Sequence, residues 1–388
     1  MTETKKNSIV IVCITIISIV FSFFIVQKFP PLPIVSDSED YHIIASGILN
    51  EGKYLSTANH TLLIYPPLYP IFLVGSYSLS HIGAYSFVYG LQYILIGCMA
   101  ILIFLILRKF SKVNLLIPIM SSLAILFWPY FVLYSQLISS EILYSFLLLL
   151  FFYFFFSIHK DSKMWLLVST GFILGLTILT RPVALLLLPW MIIGLFIFMK
   201  IPKLFGTHDI PWKKYFIVLI VSIVTLIPWE IYVYKNYDRI IPVASNLGNV
   251  FNKANKTLAY LPETEKPSIL KAKLKNVYLF WDPGASGYHL DILKEKYPIA
   301  GIAVGLYKII FFGILLFATI GAVMHRKQRL VLYALLVILY VWTIHIILFP
   351  FPRYTLPIMP FVIIVAVTGI THGINKLKTK NTLCNTCS

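Results

Sequence analysis

The chain has 388 residues, of which 59% are hydrophobic and only 12% are charged. A soluble domain has about 25% charged residues, and several apolar runs here reach about 20 residues, long enough to cross a bilayer. The composition therefore excludes a soluble globular protein and predicts an all-α integral membrane protein. The net charge of +17 is typical of basic loops held on one side of a membrane, so it does not indicate a nucleic-acid partner.

The apolar runs predict a bundle of about ten transmembrane helices. The N-terminal run follows a charged start but lacks a small-residue cleavage site, so we expect a retained first helix rather than a cleaved signal peptide. The predicted spans are 8–27, 84–107, 114–134, 142–158, 164–180, 183–199, 214–234, 299–323, 330–349 and 354–373.

The lysine and arginine residues predict how these helices are oriented. More than half of them lie in short segments at alternate ends of the predicted spans. Because basic loops stay on the cytoplasmic side, we expect a multi-pass protein of the cell membrane with both termini in the cytoplasm. The segments 28–83 and 235–298 then lie on the outer face.

One further apolar stretch, YPPLYPIFLVGSYSL (65–79), is predicted to be a helix that does not cross the membrane. It is short for a crossing, and counting it as one would place the basic RKFSK loop outside. We expect a helix along the outer membrane surface or a shallow re-entrant helix. The pair Pro66-Pro67 suits its first turn.

The first outer loop contains a cluster of acids within DSEDYHIIASGILNEG (37–52), which we predict to be a short amphipathic helix on the outer surface. Asp37, Tyr41 and Ala45 recur every four residues and so share one helical stripe. Gly52 is expected to end the helix. Asp37 would lie in its first turn, where the helix dipole favours a carboxylate, with Ser36 as the cap.

Three more charged residues, Glu141, Arg181 and Arg353, lie at the predicted outer ends of apolar helices. An arginine at a helix end can simply extend to the lipid headgroups. Ionisable residues in such apolar surroundings, however, usually face a cavity or a partner. Together with Asp37, they predict a polar site at the outer membrane interface.

This combination of side chains indicates chemistry on a lipid-linked phosphate. A carboxylate can accept a proton from a hydroxyl nucleophile. Arginine binds phosphate in a fork geometry and stabilises it as negative charge develops. The sequence has no glycine-rich nucleotide loop and no metal-binding spacing such as HExxH, so neither a cofactor nor a metal is expected.

Six segments resemble the GT-C glycosyltransferases that use polyprenyl-phosphate sugars, most of all the bacterial relatives of protein O-mannosyltransferases and lipid A aminoarabinose transferases. The segments are DSEDYHIIASGILNEGKY (37–54), PPLYPIFL (66–73), SSEILYSFLL (139–148), GLTILTRP (175–182), PWEIYVYKN (228–236) and RYTLPIMP (353–360). They follow the family's order through almost the whole chain. The resemblance implies a GT-C-type bundle of about ten transmembrane helices with outer juxtamembrane helices.

The resemblance also implies roles for individual residues. The family's acid, with a tyrosine four residues later and an alanine eight residues later, corresponds to Asp37, Tyr41 and Ala45. Asp37 is therefore the expected catalytic base, with Asp40 as the second candidate. Glu141 is expected to orient the base or the acceptor. The side chains expected to contact the donor are Tyr41, Arg181, Arg353 and Tyr354.

One segment departs from the family pattern. Many members carry an Arg-Asn pair shortly after the Pro-Trp of the helix that corresponds to 214–234 here. Here Pro228-Trp229 is followed by Glu230, and a basic residue with asparagine comes later, as Lys235-Asn236. The phosphate contact expected at this position is therefore left open.

The outer segment 235–298 is rich in lysine and contains FWDPGASGY (280–288). Its basic residues suit an anionic acceptor or lipid headgroups, or simply a solvated helix. Trp281 and Asp282, beside a turn, can bind a sugar, although a tryptophan at a membrane interface is also a common anchor. The pair Cys384 and Cys387 near the C-terminus lacks the strand–helix context of a redox site.

Three parts are predicted along the chain: an N-terminal transmembrane catalytic module (1–234, including the outer loop 28–83), an extracytoplasmic subdomain (235–298), and C-terminal helices with a cytoplasmic tail (299–388). The predicted function is a membrane glycosyltransferase that moves a sugar from a polyprenyl-phosphate donor to an acceptor hydroxyl on the outer face. The resemblance implies inversion at the sugar. The acceptor is expected to be a protein, a lipid or a glycan.

Two alternatives stay open. A transporter or flippase of lipid-linked sugars would also need arginines near phosphate. Transporters, however, often carry ionisable residues near the membrane midplane and contain internal repeats, whereas the charges here lie at helix ends and no repeat is apparent. A polymerase or ligase that joins whole lipid-linked glycans is the second alternative.

Overall fold

The protein is helical throughout the part of the chain that the structure, a computed structural model, describes. The described residues are 2–28, 37–54, 65–79, 84–111, 113–206, 209–238, 240–241, 243–244, 269–283, 299–348 and 351–371. They contain no β-strand. The predicted all-α class is confirmed.

The helices are numbered in chain order. They are α1 (Glu3–Lys28), α2 (Asp37–Glu51), α3 (Leu68–Leu79), α4 (Ala84–Phe110), α5 (Leu116–Leu126), α6 (Pro129–Tyr134), α7 (Glu141–Phe156), α8 (Met164–Thr180), α9 (Leu187–Met199), α10 (Pro202–Phe205), α11 (Trp212–Tyr237), α12 (Ile269–Phe280), α13 (Ile299–Met324), α14 (Arg329–Ile347) and α15 (359–371). A 3₁₀ turn at Pro182–Ala184 precedes α9, and a second at Pro352–Ile358 leads into α15.

Seven helical stretches of the described chain are long and apolar enough to cross a membrane. They are α1, α4, α11, α13, α14, Pro182–Met199 and Pro352–Thr371. Four shorter apolar helices accompany them: α3, α5, α7 and α8. The protein is therefore a multi-pass membrane protein, and the predicted spans 142–158 and 164–180 correspond to the shorter helices α7 and α8.

The predicted span 114–134 is wrong as a single helix. It is divided into α5, which ends at Leu126, and α6, which begins at Pro129. Trp128 is extended, with φ −64° and ψ 117°. The ring of a proline disfavours the helical conformation of the residue before it, so the Trp128-Pro129 pair breaks the helix.

The helix predicted within residues 37–52 is confirmed as α2, which runs from Asp37 to Glu51. Gly52 ends it with φ +65°, a left-handed conformation that glycine adopts without a steric penalty. The proposed cap, Ser36, lies outside the described residues. The stretch 65–79 is also helical, as α3, and the carbonyl of Pro67 accepts its first hydrogen bond, from the N–H of Ile71 at 3.0 Å.

α2 and α3 pack on each other and against α4 and α7, so that the start of α2 lies beside the start of α7. Tyr41 and Ala45 of α2 are buried in one apolar cluster with Tyr69 and Leu73 of α3. Leu143, near the start of α7, belongs to the same cluster. This contact positions the acids of α2 over the first turn of α7.

α7 lies in the centre of the bundle. Twelve of its 16 residues are buried, and it contacts α4, α8 and the 3₁₀ turn Pro352–Ile358. Its first residue, Glu141, is consequently held between the elements that carry the other charged residues predicted for the site.

α13 and α15 approach each other closely at two glycines. A Cβ atom on Gly321 would clash with the carbonyl oxygen of Val365, and a Cβ atom on Gly369 would clash with the carbonyl oxygen of Phe317. Small residues let the backbones of membrane helices come this near. The contact fixes α15, whose preceding 3₁₀ turn carries Arg353.

We expect Gly321→Ala to lower the free energy of unfolding by about 1–3 kcal/mol, because the added methyl group forces two backbones apart. Gly313→Ala is the matched control on the same helix, since a Cβ atom there meets nothing within 4 Å. That variant should be neutral or more stable by up to about 1 kcal/mol. Unfolding in detergent micelles measures both, and equal stabilities of the two variants would contradict the close contact.

Candidate active site

Four charged side chains from distant parts of the sequence meet at one end of the bundle. Asp37 Oδ2 lies 3.0 Å from Arg353 Nη2, and Arg353 Nε lies 3.6 Å from Glu141 Oε1. The same Glu141 oxygen lies 2.9 Å from Arg181 Nη1. We call these four residues the ion cluster. It contains two carboxylates and two guanidinium groups, so its formal charges balance.

Glu141 is the most deeply buried member of the ion cluster, with 3% of its side chain exposed. Its second carboxylate oxygen accepts a hydrogen bond from the hydroxyl of Ser139. A buried carboxylate must be paired or hydrogen-bonded to stay charged, and here both conditions are met. Glu141 is thus a fixed anion between the two arginines.

The turn before Glu141 is held by two polar side chains from neighbouring helices. The amide of Gln92 on α4 donates to the carbonyls of Ser135 and Leu137 at 2.9 and 2.8 Å. The hydroxyl of Tyr69 on α3 accepts the N–H of Ser139 at 2.6 Å and donates to the Gln92 carbonyl at 3.0 Å. These bonds satisfy backbone groups that the break between α6 and α7 leaves without helical partners.

Arg181 follows the last residue of α8 and precedes Pro182. Its backbone is extended, with φ −146° and ψ 118°, as expected for a residue before proline. The guanidinium lies 5.2 Å from the ring centre of Tyr354 and 5.8 Å from that of Tyr144. Aromatic faces attract a guanidinium at these distances, so Arg181 is held beside Glu141.

Arg353 and Tyr354 lie in the 3₁₀ turn before α15. The Arg353 guanidinium lies 5.2 Å from the Tyr354 ring centre, and its Nη2 donates to the Tyr354 hydroxyl at 3.4 Å. On the other side, the ring of His345 lies 4.2 Å from that of Tyr354. His345 is buried on α14 and bonded to the carbonyl of Val341. Tyr354 therefore contacts both arginines and is itself supported by His345.

The two candidate bases on α2 have different surroundings. Asp37 is 46% exposed and faces Arg353. Asp40 accepts a hydrogen bond from the hydroxyl of Tyr65 at 2.5 Å. Burial and the bond to Asp40 raise the pKa of Tyr65 well above its usual value, so its hydroxyl remains a donor at neutral pH. Of the two acids, Asp37 is the one in contact with the arginines.

Tyr41, the predicted donor contact on α2, is buried, and its hydroxyl donates to that of Ser140 at 3.2 Å. Burial raises the pKa of its phenol. Its ring packs edge-on against those of Tyr65 and Tyr69. In this arrangement, Tyr41 attaches α2 to the residue that precedes Glu141.

Trp281 and Asp282 lie at the end of α12, where the preceding residue, Phe280, packs against His345. The Trp281 ring packs against Phe280, Phe311 and Trp342, and the N–H of Asp282 bonds to the Leu279 carbonyl at 3.4 Å. The sugar contact predicted for these two residues stays a prediction.

α12 contacts the end of α14 through polar side chains. Lys273 Nζ donates to the carbonyl of Ile347 at 2.7 Å, and the Asn276 amide donates to that of Ile346 at 3.1 Å. The last carbonyls of a helix lack partners within it. Lys273, one of the basic residues predicted to meet an anionic acceptor, therefore bonds to a helix end.

Glu230, the residue that departs from the family pattern, has a backbone partner. Its Oε1 accepts the N–H of Val243 at 2.8 Å, while the indole of Trp229 donates to the Val243 carbonyl at 2.9 Å. The two side chains hold the chain after α11 against that helix. Lys235, the later basic residue, is exposed.

Among the described residues, neither the cysteines nor the potential metal-ligand side chains form a second site. No group of three or more His, Cys, Asp or Glu side chains there could hold a metal ion. Cys13 and Cys98 are free thiols. Cys384 and Cys387 lie outside the described residues.

No protein-family model matches the sequence, and no curated protein matches it significantly. Two solved structures match the fold: ArnT from Cupriavidus metallidurans in the apo state and ArnT from the same organism bound to undecaprenyl phosphate. Both matches have a TM-score of 0.59 and cover 100% of this chain and 64% of the ArnT chain, at 16% and 15% sequence identity. The chain has a GT-C fold.

The resemblance inferred from the six segments is thereby confirmed at the level of the fold, since ArnT, a lipid A aminoarabinose transferase, is a GT-C enzyme. The chain spans less than two thirds of the length of ArnT.

We expect Glu141→Gln to destabilise the protein by about 3–5 kcal/mol, because removal of one partner from a buried ion pair leaves an uncompensated charge. Glu39→Gln, on the exposed side of α2, removes the same charge outside the ion cluster and should change stability by less than about 0.5 kcal/mol. Thermal unfolding of the purified variants provides the comparison. Equal stability of both variants would mean that Glu141 does not hold the arginines together.

Proposed function

We propose that the protein is a membrane glycosyltransferase that transfers a sugar from a polyprenyl-phosphate donor to an acceptor hydroxyl. The observation that carries the proposal is the ion cluster: two arginines suited to a phosphate lie beside a half-exposed carboxylate suited to accept a proton. Arginine binds phosphate through two parallel hydrogen bonds. The GT-C fold and the undecaprenyl phosphate of the matched ArnT structure support a donor of this class.

An apolar groove next to the turn that follows Arg181 supports a lipid-linked donor. The groove has a volume of about 270 Å³ and lies between α9 and α14, where its lining includes Leu186, Trp190, Tyr340 and Ile344. The hydroxyl of Tyr340 bonds to the carbonyl of Val183, two residues after Arg181. A prenyl chain in this groove would have its phosphate end near the arginines.

In the proposed reaction, Asp37 accepts the proton of the acceptor hydroxyl as that oxygen attacks the anomeric carbon. The new C–O bond forms on the face opposite the phosphate while the bond from the anomeric carbon to the phosphate oxygen breaks. Its electron pair leaves with the phosphate, where Arg181 and Arg353 stabilise the charge. This single displacement inverts the sugar configuration. Glu141 keeps both arginines at the phosphate.

The acceptor is a hydroxyl of a protein, a lipid or a glycan on the outer face of the cell membrane. Basic residues at the opposite end of the bundle support this orientation. Arg329, at the start of α14, bonds to the carbonyl of Ile158 just beyond the end of α7, whereas Glu141 begins α7. Lys109 lies at that same end of α7, bonded to Ser157. Basic ends are cytoplasmic in most membrane proteins.

We expect Asp37→Asn to lower the transfer rate by about 10²- to 10⁴-fold, the usual contribution of a general base. The measurement is loss of radiolabel from a panel of polyprenyl-phosphate sugars, with a cell-envelope fraction as acceptor. Glu39→Gln is the control and should transfer at the rate of the unmodified protein. Full activity of Asp37→Asn together with an inactive Asp40→Asn would move the base to Asp40. Label that stays on every donor would favour a flippase.

The orientation is tested by cysteine labelling in a variant whose own four cysteines are replaced by serine. Glu39→Cys, on α2, and Lys327→Cys, before α14, each introduce one thiol at an exposed position. A maleimide that cannot cross membranes should label only Glu39→Cys in intact cells and both variants in permeabilised cells. Labelling of Lys327→Cys alone in intact cells would invert the proposed topology.

A further inference from the structure

The guanidinium of Arg353 uses only part of its hydrogen-bonding capacity. Nη2 donates to Asp37 Oδ2 at 3.0 Å. The neighbouring Nε, although buried, has no hydrogen-bond acceptor among the described residues, and Glu141 Oε1 at 3.6 Å is beyond hydrogen-bond distance. Nε and one Nη form the edge with which arginine binds two oxygens of one anion. At Arg353, one half of that edge is taken by Asp37, and the other half is buried, faces Glu141 and makes no hydrogen bond.

The two carboxylates of the ion cluster are held very differently. Glu141 is 3% exposed and is bonded to Arg181 and Ser139. Asp37 is 46% exposed and is the first residue of α2. Half-exposed ion pairs are weak because water competes for both charges. Asp37 can therefore leave Arg353 at low cost, whereas Glu141 cannot leave Arg181.

From this contrast, we propose that Asp37 and the donor phosphate compete for the same position on Arg353. Binding of the lipid phosphate displaces the carboxylate of Asp37 and releases it to act as the base. The inference rests on the proposed function. While Oδ2 is bonded to Arg353, the guanidinium fixes the orientation of the carboxylate; once displaced, the carboxylate is free to turn toward an acceptor hydroxyl. Donor binding and activation of the base thus become one event.

The charges of the ion cluster are consistent with such an exchange. Without donor, Asp37 and Glu141 balance the two arginines. A sugar phosphodiester carries one negative charge, so it balances Arg353 in place of Asp37 while Glu141 stays with Arg181. The displaced Asp37 is then left without a counter-ion, a charge that solvent can stabilise because the side chain is 46% exposed.

In this exchange, Asp37 competes with the lipid phosphate for Arg353. The competition can be measured by binding alone, without catalysis. The probe is undecaprenyl phosphate, with undecaprenol as the control that shares the tail but lacks the phosphate. Binding to the full chain in lipid nanodiscs is followed by microscale thermophoresis. We expect Asp37→Asn to bind undecaprenyl phosphate about three- to fivefold more tightly than the unmodified protein, the gain from removing a half-exposed ion pair.

Two matched variants separate this competition from a general effect of charge. Glu39→Gln removes the same charge two residues away and should leave the dissociation constant unchanged. In an Arg353→Gln background, Asp37→Asn should give no gain, because the contested guanidinium is absent; such a cycle isolates the pairwise interaction. Far-UV circular dichroism and size-exclusion profiles establish that each variant is folded.

Each outcome has one meaning. A gain in Asp37→Asn that disappears with Arg353→Gln supports the exchange. Equal dissociation constants of the unmodified protein and Asp37→Asn overturn it, as does a similar gain in Glu39→Gln or a gain that persists without Arg353. If the unmodified protein binds undecaprenyl phosphate no better than undecaprenol, the donor class itself is wrong, and the proposed function fails together with the exchange.

Discussion

The arrangement of this site depends on one buried anion, the carboxylate of Glu141. Two guanidinium groups repel each other, and at the end of a membrane bundle they need a counter-charge to lie close together. Glu141 supplies it from the first turn of α7, where a helix N-terminus also favours negative charge. The polar side chains of Gln92, Tyr69 and Ser139 then hold the turn and the carboxylate. A network of this kind is costly unless every member is satisfied, which explains why so many polar residues surround one acid.

The aspartates of α2 illustrate how surroundings distinguish two identical side chains three residues apart. Asp40 turns toward the phenol of Tyr65, which stays protonated at neutral pH and donates to it. Asp37, one turn earlier, faces a guanidinium and solvent. From the sequence alone, one can say only that Asp37 and Asp40 lie about one turn apart on the same helix. The partner that each meets is decided by α3 on one side and by the 3₁₀ turn before α15 on the other.

Much of the fold and part of the site could be predicted from the sequence, because both leave local signals. The apolar runs mark the long helices, and the four-residue step with Gly52 marks α2. Charged residues at the ends of apolar helices indicated Glu141, Arg181 and Arg353 before their contacts were known. The break between α5 and α6 has a local signal too, the Trp128-Pro129 pair, but the continuous apolar run outweighed it in the prediction.

The remaining features depend on pairings that no local pattern encodes. The support of the Glu141 turn by Gln92 joins α4 to a loop more than 40 residues later. The contact between the rings of His345 and Tyr354 joins α14 to the 3₁₀ turn before α15. Glu230 departs from the family motif, but in the fold it accepts a hydrogen bond from the N–H of Val243. This pairing depends on the path of the chain after α11, which the motif does not encode.

The pairing of Glu141 with Arg181 also bears on how the chain enters the membrane during synthesis. α7 and α8 are consecutive, so the acid and the arginine reach the bilayer as the two ends of one helical hairpin. A single charge left among lipid tails is expensive to insert. Because the two groups lie 2.9 Å apart, the hairpin can neutralise itself as soon as its second helix is in place. The later helices that bring Arg353 and Tyr354 then join a segment whose charges are already balanced.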